Sequence, residues 1–276
     1  AQQLINAGFD LTVMDKRQDV SEAFAKMNKC DVAADASALG EAVDVVITML
    51  PTSKIVRTVI LGTANKKGVV DGMRRGKLII DMSTSNPADT LSLHKVLEKR
   101  GIELIDAPVA GGVIFAVEGS LFITVGGSQD NKDRAMPLFK AMGSKISDCG
   151  ILGGAHTMKA LNNFVNAAAL ITGIEAMSIA LKFGLDSKTA INALKSACTG
   201  RNNPIEKKIE GHILNGKHAT GMPIGLIAKD IKIAVESARA LGAFAPIAKE
   251  TLRLWEKAKD EIGFEPDQSE VGRLWE

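Results

Sequence analysis

The chain has 276 residues, with 46% hydrophobic and 24% charged side chains and a formal net charge of +2. That length suits one large domain or two ordinary ones, and the composition is that of a chain with a full core, which excludes a disordered tail. The small net charge gives no reason to expect a nucleic-acid partner. No apolar run reaches membrane-spanning length; the nearest, from Phe164 to Ile174, is interrupted by Asn166, Thr172 and Gly173.

The start, Ala1-Gln2-Gln3-Leu4-Ile5-Asn6-Ala7-Gly8, lacks the basic flank and apolar centre of a signal peptide. It reads as the end of a helix with Gly8 as its left-handed cap. Phe9 to Met14 is a strand candidate and Val20 to Met27 a helix. Val43 to Met49 and Lys77 to Asp81 are apolar, β-branched runs, as expected of strands covered on both faces. Pro87 to Arg100 is a helix ended by Gly101. Glu103 to Asp106, Leu121 to Val125 and Lys145 to Ser147 follow as strands, with a helix from Lys132 to Met142. Strands alternating with helices imply βαβ units and a parallel sheet.

After Gly153-Gly154 the pattern changes. Ala155 to Phe183 is one long helical stretch, apolar nearly all round, interrupted by Gly173 and closed by Gly184. A helix without a polar face belongs in a bundle or between subunits. Helices are expected over Ser187 to Ala197 (with Ser187 as N-cap), Pro204 to Leu214, Ile227 to Leu241 and Pro246 to Ile262, with no strand signal. The expected division is an α/β domain over 1–152 and an all-helical domain over 153–276.

Cys30, Cys149 and Cys198 are odd in number and far apart, which suits buried free thiols in a reducing, cytoplasmic setting. His94, His156, His212 and His218 are scattered, with His212 and His218 flanking a turn at Asn215-Gly216, and no metal site is expected.

In a dinucleotide-binding sheet the second strand commonly ends in an acid that accepts hydrogen bonds from the adenosine ribose and repels a 2′-phosphate. Asp15, after Phe9–Met14, fits that place and favours NAD, although Lys16 and Arg17 beside it would suit the phosphate of NADP; Asp15 also reads as a turn former. The GxGxxG loop expected at the tip of the first strand is not in the sequence. The expectation is a Rossmann-type doubly wound parallel sheet whose first strand and glycine loop precede Ala1 in a longer natural chain.

Four ordered segments carry a family likeness: Val46-Ile47-Thr48-Met49-Leu50-Pro51; Asp81-Met82-Ser83-Thr84-Ser85-Asn86-Pro87; Asp106-Ala107-Pro108-Val109-Ala110-Gly111-Gly112, continuing to Gly119-Ser120-Leu121 and Val125-Gly126-Gly127; and Lys159-Ala160-Leu161-Asn162-Asn163. Ala228-Lys229-Asp230-Ile231 adds a late Lys-Asp pair. The set resembles the β-hydroxyacid dehydrogenases of the 3-hydroxyisobutyrate dehydrogenase family over nearly the whole chain. The resemblance implies hydride transfer between NAD or NADP and a small hydroxyacid or semialdehyde, in a homodimer or homotetramer. It implies that Met49, Leu50 and Pro51 line the dinucleotide and that Thr84 or its neighbours meet the nicotinamide ribose. Ser83 offers a hydroxyl to substrate, and Gly111-Gly112 forms the carboxylate site through backbone amides. Lys159 becomes the general acid/base, its pKa lowered by partial burial, and Asn163, four residues on and on the same helix face, orients the substrate hydroxyl. Asn162 is secondary, about 100° round the helix. Lys229, with Asp230, closes over cofactor or substrate.

Two departures bear on specificity. Ala110 stands where the family usually has Ser, and Met222 where it usually has Phe. Tartronate semialdehyde reductase, threonate-type dehydrogenase and succinic semialdehyde/glyoxylate reductase are rivals within the family. The 6-phosphogluconate enzyme is disfavoured because Asn162 replaces the His of its Lys-x-x-His-Asn, and an imine reductase because Lys159 is retained. The missing glycine loop favours a non-catalytic interaction module that keeps the fold, whereas Lys159 and Asn163 oppose it.

Overall fold

The computed structural model describes residues 1–197, 204–242 and 244–275. The chain forms two compact units, Ala1–Lys159 and Ala160–Glu276.

In the first unit, α1 (Gln2–Asn6) ends before Gly8, whose φ of +86° bears out the left-handed turn. β1 covers only Thr12–Val13 and is followed by α2 (Gln18–Asn28). β2 (Asp31–Val32), α3 (Ala36–Ala42) and α4 (Ser53–Leu61) are elements that the sequence reading does not anticipate, although α4 buries Val56 and Ile60 at helical spacing. Asp35 and Thr52 cap the two helices by accepting the amides of Ala38 and Ile55. β3 (Val45–Thr48), β4 (Leu78–Asp81) and β5 (Glu103–Asp106) lie inside the apolar runs, and α5 (Pro87–Glu98) is capped by Asn86 with Pro87 in its first turn. Next come β6 (Val109–Ala110), α6 (Gly112–Glu118), β7 (Leu121–Val125), α7 (Gln129–Met142) and β8 (Gly143–Asp148).

The order β3-β4-β5 is parallel and in register, so Thr48, Asp81 and Asp106 end neighbouring strands side by side. β1 pairs in parallel with β2; β7 pairs antiparallel with β6 and parallel with β8. Among the described residues no ladder joins β1 to β3. Alternation along β4 feeds two cores. Leu78 and Ile80 pack with Leu4, Ile105, Val125 and Phe139, while Ile79 packs with Val46, Ile60, Leu93, Leu97 and Leu104. Helices thus cover both faces, as the doubly wound pattern requires.

α8 (Gly154–Phe183) carries the chain from the first unit into the second. The second unit adds α9 (Ser187–Ala197), a π-helical segment Ile205–Ile213 where an α-helix is expected, α10 (Ile224–Ala240), α11 (Pro246–Glu261) and a closing 3₁₀ segment, Gln268–Trp275. Ser187 is the first helical residue and not the cap; Asp186 accepts the Thr189 amide at 3.0 Å instead. The core of this unit gathers Leu170, Ile191, Ile227, Ile231, Val271 and a fully buried Trp255. Its extended backbone is limited, among the described residues, to a single bridge between Pro223 and Asp267. Among the described residues, no helix is long and apolar enough to cross a membrane.

Cys30 and Cys149 are half-buried free thiols rather than buried ones, and Cys198 lies outside the described residues.

Candidate active site

In parallel α/β sheets, ligands bind beyond the carboxyl ends of the strands. Here those ends are polar and tightly bound. Asp81 is buried, and its Oδ1 accepts from Thr48 Oγ1 at 2.9 Å and the Ser83 amide at 3.0 Å, while Oδ2 accepts from Ser85 Oγ at 2.7 Å. The Leu50 amide in turn donates to Ser83 Oγ at 2.9 Å. The loops after β3 and β4 are therefore one hydrogen-bonded unit. It leaves Met49 66% exposed, Pro51 exposed and Thr84 half-buried, whereas Ser83 is 1% exposed with its hydroxyl engaged by the Leu50 amide.

Asp106, fully buried at the end of β5, accepts the Gly153 amide at Oδ1 and the His156 amide at Oδ2, both at 2.8 Å. A strand-end carboxylate thus caps the first turn of α8, where the helix dipole favours negative charge. Gly126 makes room for it: a Cβ there would lie 2.6 Å from Asp106 Oδ1 and 2.5 Å from the Ile151 carbonyl oxygen. This explains part of the Val125-Gly126-Gly127 motif without a ligand.

Ala110 is half-buried on β6, opposite Phe122 of β7. Gly111 and Gly112 are exposed, with φ of +122° and +73°, and they open α6. Only glycine takes such backbone readily. A Cβ on Gly112 would meet nothing within 4 Å, so open space lies beside that backbone. Asp15 and Lys16 are exposed beyond β1, and the Asp15 carboxylate accepts the Arg17 amide at 2.8 Å, so a turn role is realised.

Lys159 is half-buried two turns into α8 and closes the first unit. In the second unit, Asn163 is buried on the same helix and donates from Nδ2 to Asp230 Oδ2 at 2.6 Å. Asp230, 1% exposed on α10, has Lys229 Nζ 3.0 Å from its Oδ1. Asn162 is exposed and donates to Asn163 Oδ1 at 3.2 Å. The carboxylate of Asp230 thereby fixes the Asn163 amide, and the late Lys-Asp pair meets the helix motif across 67 residues of sequence. The roles of Asp81 and Asp106 as anchors, and any role for Thr48, Ser85, Thr90 and His156, are not legible in the sequence beyond the position of the two acids at strand ends.

Two family models match the chain end to end: the NAD-binding domain of 6-phosphogluconate dehydrogenase over residues 1–153, and the NAD-binding domain of NADP-dependent 3-hydroxyisobutyrate dehydrogenase over 153–275. Together with the doubly wound sheet they define a nicotinamide-dependent oxidoreductase, using NAD or NADP on the CH–OH group of a small hydroxyacid. Mouse mitochondrial 3-hydroxyisobutyrate dehydrogenase is 33% identical over 243 residues, covering 86% of this chain and 71% of the relative. The NAD-dependent L-serine dehydrogenase of Pseudomonas aeruginosa is 31% identical, covering 100% and 93%. The structure of Mycobacterium tuberculosis 3-hydroxyisobutyrate dehydrogenase with L-serine superposes with a TM-score of 0.86 at 29% identity, over 99% of this chain and 93% of that one. The chain belongs to the 3-hydroxyisobutyrate dehydrogenase family of β-hydroxyacid dehydrogenases.

Proposed function

We propose that the chain interconverts a small β-hydroxyacid of the 3-hydroxyisobutyrate type and its semialdehyde, with Lys159 as the acid/base. The observation that carries this reading is the buried Asn163–Asp230 pair one helical turn beyond Lys159. An amide locked by a carboxylate presents its remaining polar atoms in one orientation, which suits aligning a substrate hydroxyl rather than filling a core.

In oxidation, Lys159 Nζ takes the proton of the substrate hydroxyl while the carbon-bound hydrogen leaves as hydride; in reduction it returns the proton. The bound nicotinamide supplies the hydride acceptor or donor. Residues 1–152 hold the nucleotide and 153–276 form the helical substrate and subunit-contact domain. Asp15, exposed after β1, Lys16 beside it, the Met49-Leu50-Pro51 turn and Thr84 fit a nucleotide at the carboxyl edge of the sheet, with exposed Met49 offering apolar surface to a ring. Asp15 favours NAD. Lys229 and Asp230 close over the ligands. The backbone at Gly111 and Gly112 receives the substrate carboxylate beside Ala110, with Ser83 and Asn162 in support. Ser83 acts there by holding the Leu50 turn.

Met158, Leu161 and Val165 form an exposed apolar stripe at helical spacing on α8, which supports a homodimer or homotetramer. Free thiols at Cys30 and Cys149 suit the cytoplasm. L-Serine, itself a β-hydroxyacid, is the second reading, favoured by the Pseudomonas aeruginosa relative that matches the whole chain.

The test is Lys159→Ala in the protein, assayed with 3-hydroxyisobutyrate and L-serine while NADH and NADPH are titrated by nicotinamide fluorescence. Turnover should be lost with nucleotide affinity kept. Unchanged turnover would remove Lys159 from the mechanism, and a preference for NADPH would overturn the reading of Asp15.

A further inference from the structure

His156 is fully buried, three residues before Lys159 in the first turns of α8, and the mechanism above does not use its side chain. Its imidazole lies between the two strand-end carboxylates. Nδ1 is 3.8 Å from Asp106 Oδ2 and Nε2 is 3.8 Å from Asp81 Oδ2. Nδ1 also lies 2.9 Å from Thr90 Oγ1 on α5, whose hydroxyl has a second acceptor in the Asn86 carbonyl at 3.2 Å. Nε2 has no hydrogen-bond partner. A buried polar nitrogen left without a partner requires an explanation, because such groups are costly to desolvate.

The charges around it provide one. Asp81 and Asp106 are register partners on adjacent strands, and both are buried. Two carboxylates so placed repel, and they repel most where water is excluded. With its proton on Nε2 the ring turns an N–H dipole toward Asp81, while Nδ1 accepts the Thr90 hydroxyl and the His156 main-chain amide serves Asp106. Cys149, just before α8, is a further titratable group near Asp106, and its thiol pKa is pushed up by burial and by the charges of Asp106 and Asp148. Thr90, which the ring meets at Nδ1, does not titrate. The His156 main chain donates to Asp106, and its ring bridges to Asp81 and α5. One residue therefore ties the start of α8 to the ends of β4 and β5.

We propose that His156 is a positioning residue for the reaction: it balances the Asp81–Asp106 pair and so fixes the first turn of α8 from which Lys159 projects. This rests on the assignment of Lys159 as the acid/base. On a helix, residues three apart are neighbours, so a shift of the first turn is carried directly to Lys159. A displacement of about 1 Å at a reacting group costs on the order of 100-fold in rate.

The experiment compares His156→Ala, His156→Asn and Lys159→Ala in the full-length protein by steady-state kinetics and NADH titration. His156→Ala should lower kcat by about 10- to 100-fold while the KM and affinity for nucleotide stay within about twofold. His156→Asn keeps a polar atom near the Nδ1 position for Thr90 and should restore part of that kcat. A kcat within twofold of the parent in folded His156→Ala would overturn the proposal, as would equal losses in kcat and nucleotide affinity. If His156→Ala fails to fold, His156→Asn decides alone: an unchanged kcat overturns the proposal, and a lowered kcat with unchanged nucleotide affinity supports it. Lys159→Ala separates the two readings. If it is inactive while His156→Ala is normal, only the positioning role fails; if it retains full turnover, the role of Lys159 fails and this inference with it.

Discussion

Asp106→Asn changes almost no volume but removes one charge and one acceptor from the cap of α8. The two carboxylate oxygens each accept one amide at 2.8 Å, from Gly153 and from His156. An Asn carbonyl oxygen serves only one of them, and its NH₂ then faces the other amide, donor to donor. The donors remain buried, so the lost bond is not replaced by water. An unsatisfied buried donor costs about 1–3 kcal/mol, and loss of the favourable charge at a helix N-terminus adds roughly 0.3–2 kcal/mol. Asn is cheaper to bury than a carboxylate and relieves the repulsion with Asp81, which offsets part of the loss. The net expectation is a destabilisation of about 2–4 kcal/mol. The assay is urea unfolding followed by far-UV circular dichroism, alongside fluorescence of Trp255 and Trp275, which both lie in the second unit. The dichroism transition should move to lower urea while the fluorescence transition moves less. A loss below about 0.5 kcal/mol, the range of ordinary surface substitutions, would refute the reasoning.

Two further outcomes are expected. Asn163→Ala removes a 2.6 Å bond from the buried Asp230 carboxylate, which should destabilise the second unit by about 1.5–3 kcal/mol in a urea titration and lower turnover. The clasp at Asp267 should make stability depend on pH. Burial pushes this carboxyl up, but the hydroxyls of Ser269 and Thr220 and the amides of Ser269 and Gly221 together hold it below the usual carboxylate range. A carboxyl lowered on folding stabilises above its unfolded value, about 4, and the contribution disappears as pH falls through the folded value. The melting temperature should therefore drop on acidification below about pH 4, and Asp267→Asn should flatten that segment of the curve; an identical slope in the variant would exclude the clasp as its source.

Local pattern alone determines much of this protein. The runs Val-Val-Ile-Thr, Leu-Ile-Ile-Asp and Glu-Leu-Ile-Asp announce buried parallel strands because both faces must be apolar, and β3, β4 and β5 lie there. The change from alternating elements to unbroken helices after Gly154 is equally legible, as are the ordered motifs that carry the family likeness. Short or one-sided elements escape such reading. Both residues of β2 are exposed, and α6 has no buried residue although Val113, Ile114, Phe115 and Val117 are all apolar, so neither element has a burial period to detect.

Tertiary structure alone decides what the polar residues of the site do. Asn163 meets Asp230 across 67 residues of sequence, and His156 meets Thr90 across 66 and the Asp106 carboxylate across 50. In sequence, His156 is one scattered histidine and Asp106 a strand-end acid. Their meaning arises because in-register strands bring Asp81 and Asp106 side by side, out of water, where every charge and amide must find its partner within the fold. Periodicity records which side chains are buried, but the pairing of buried polar groups depends on how distant segments meet, and no local signal in the chain carries that.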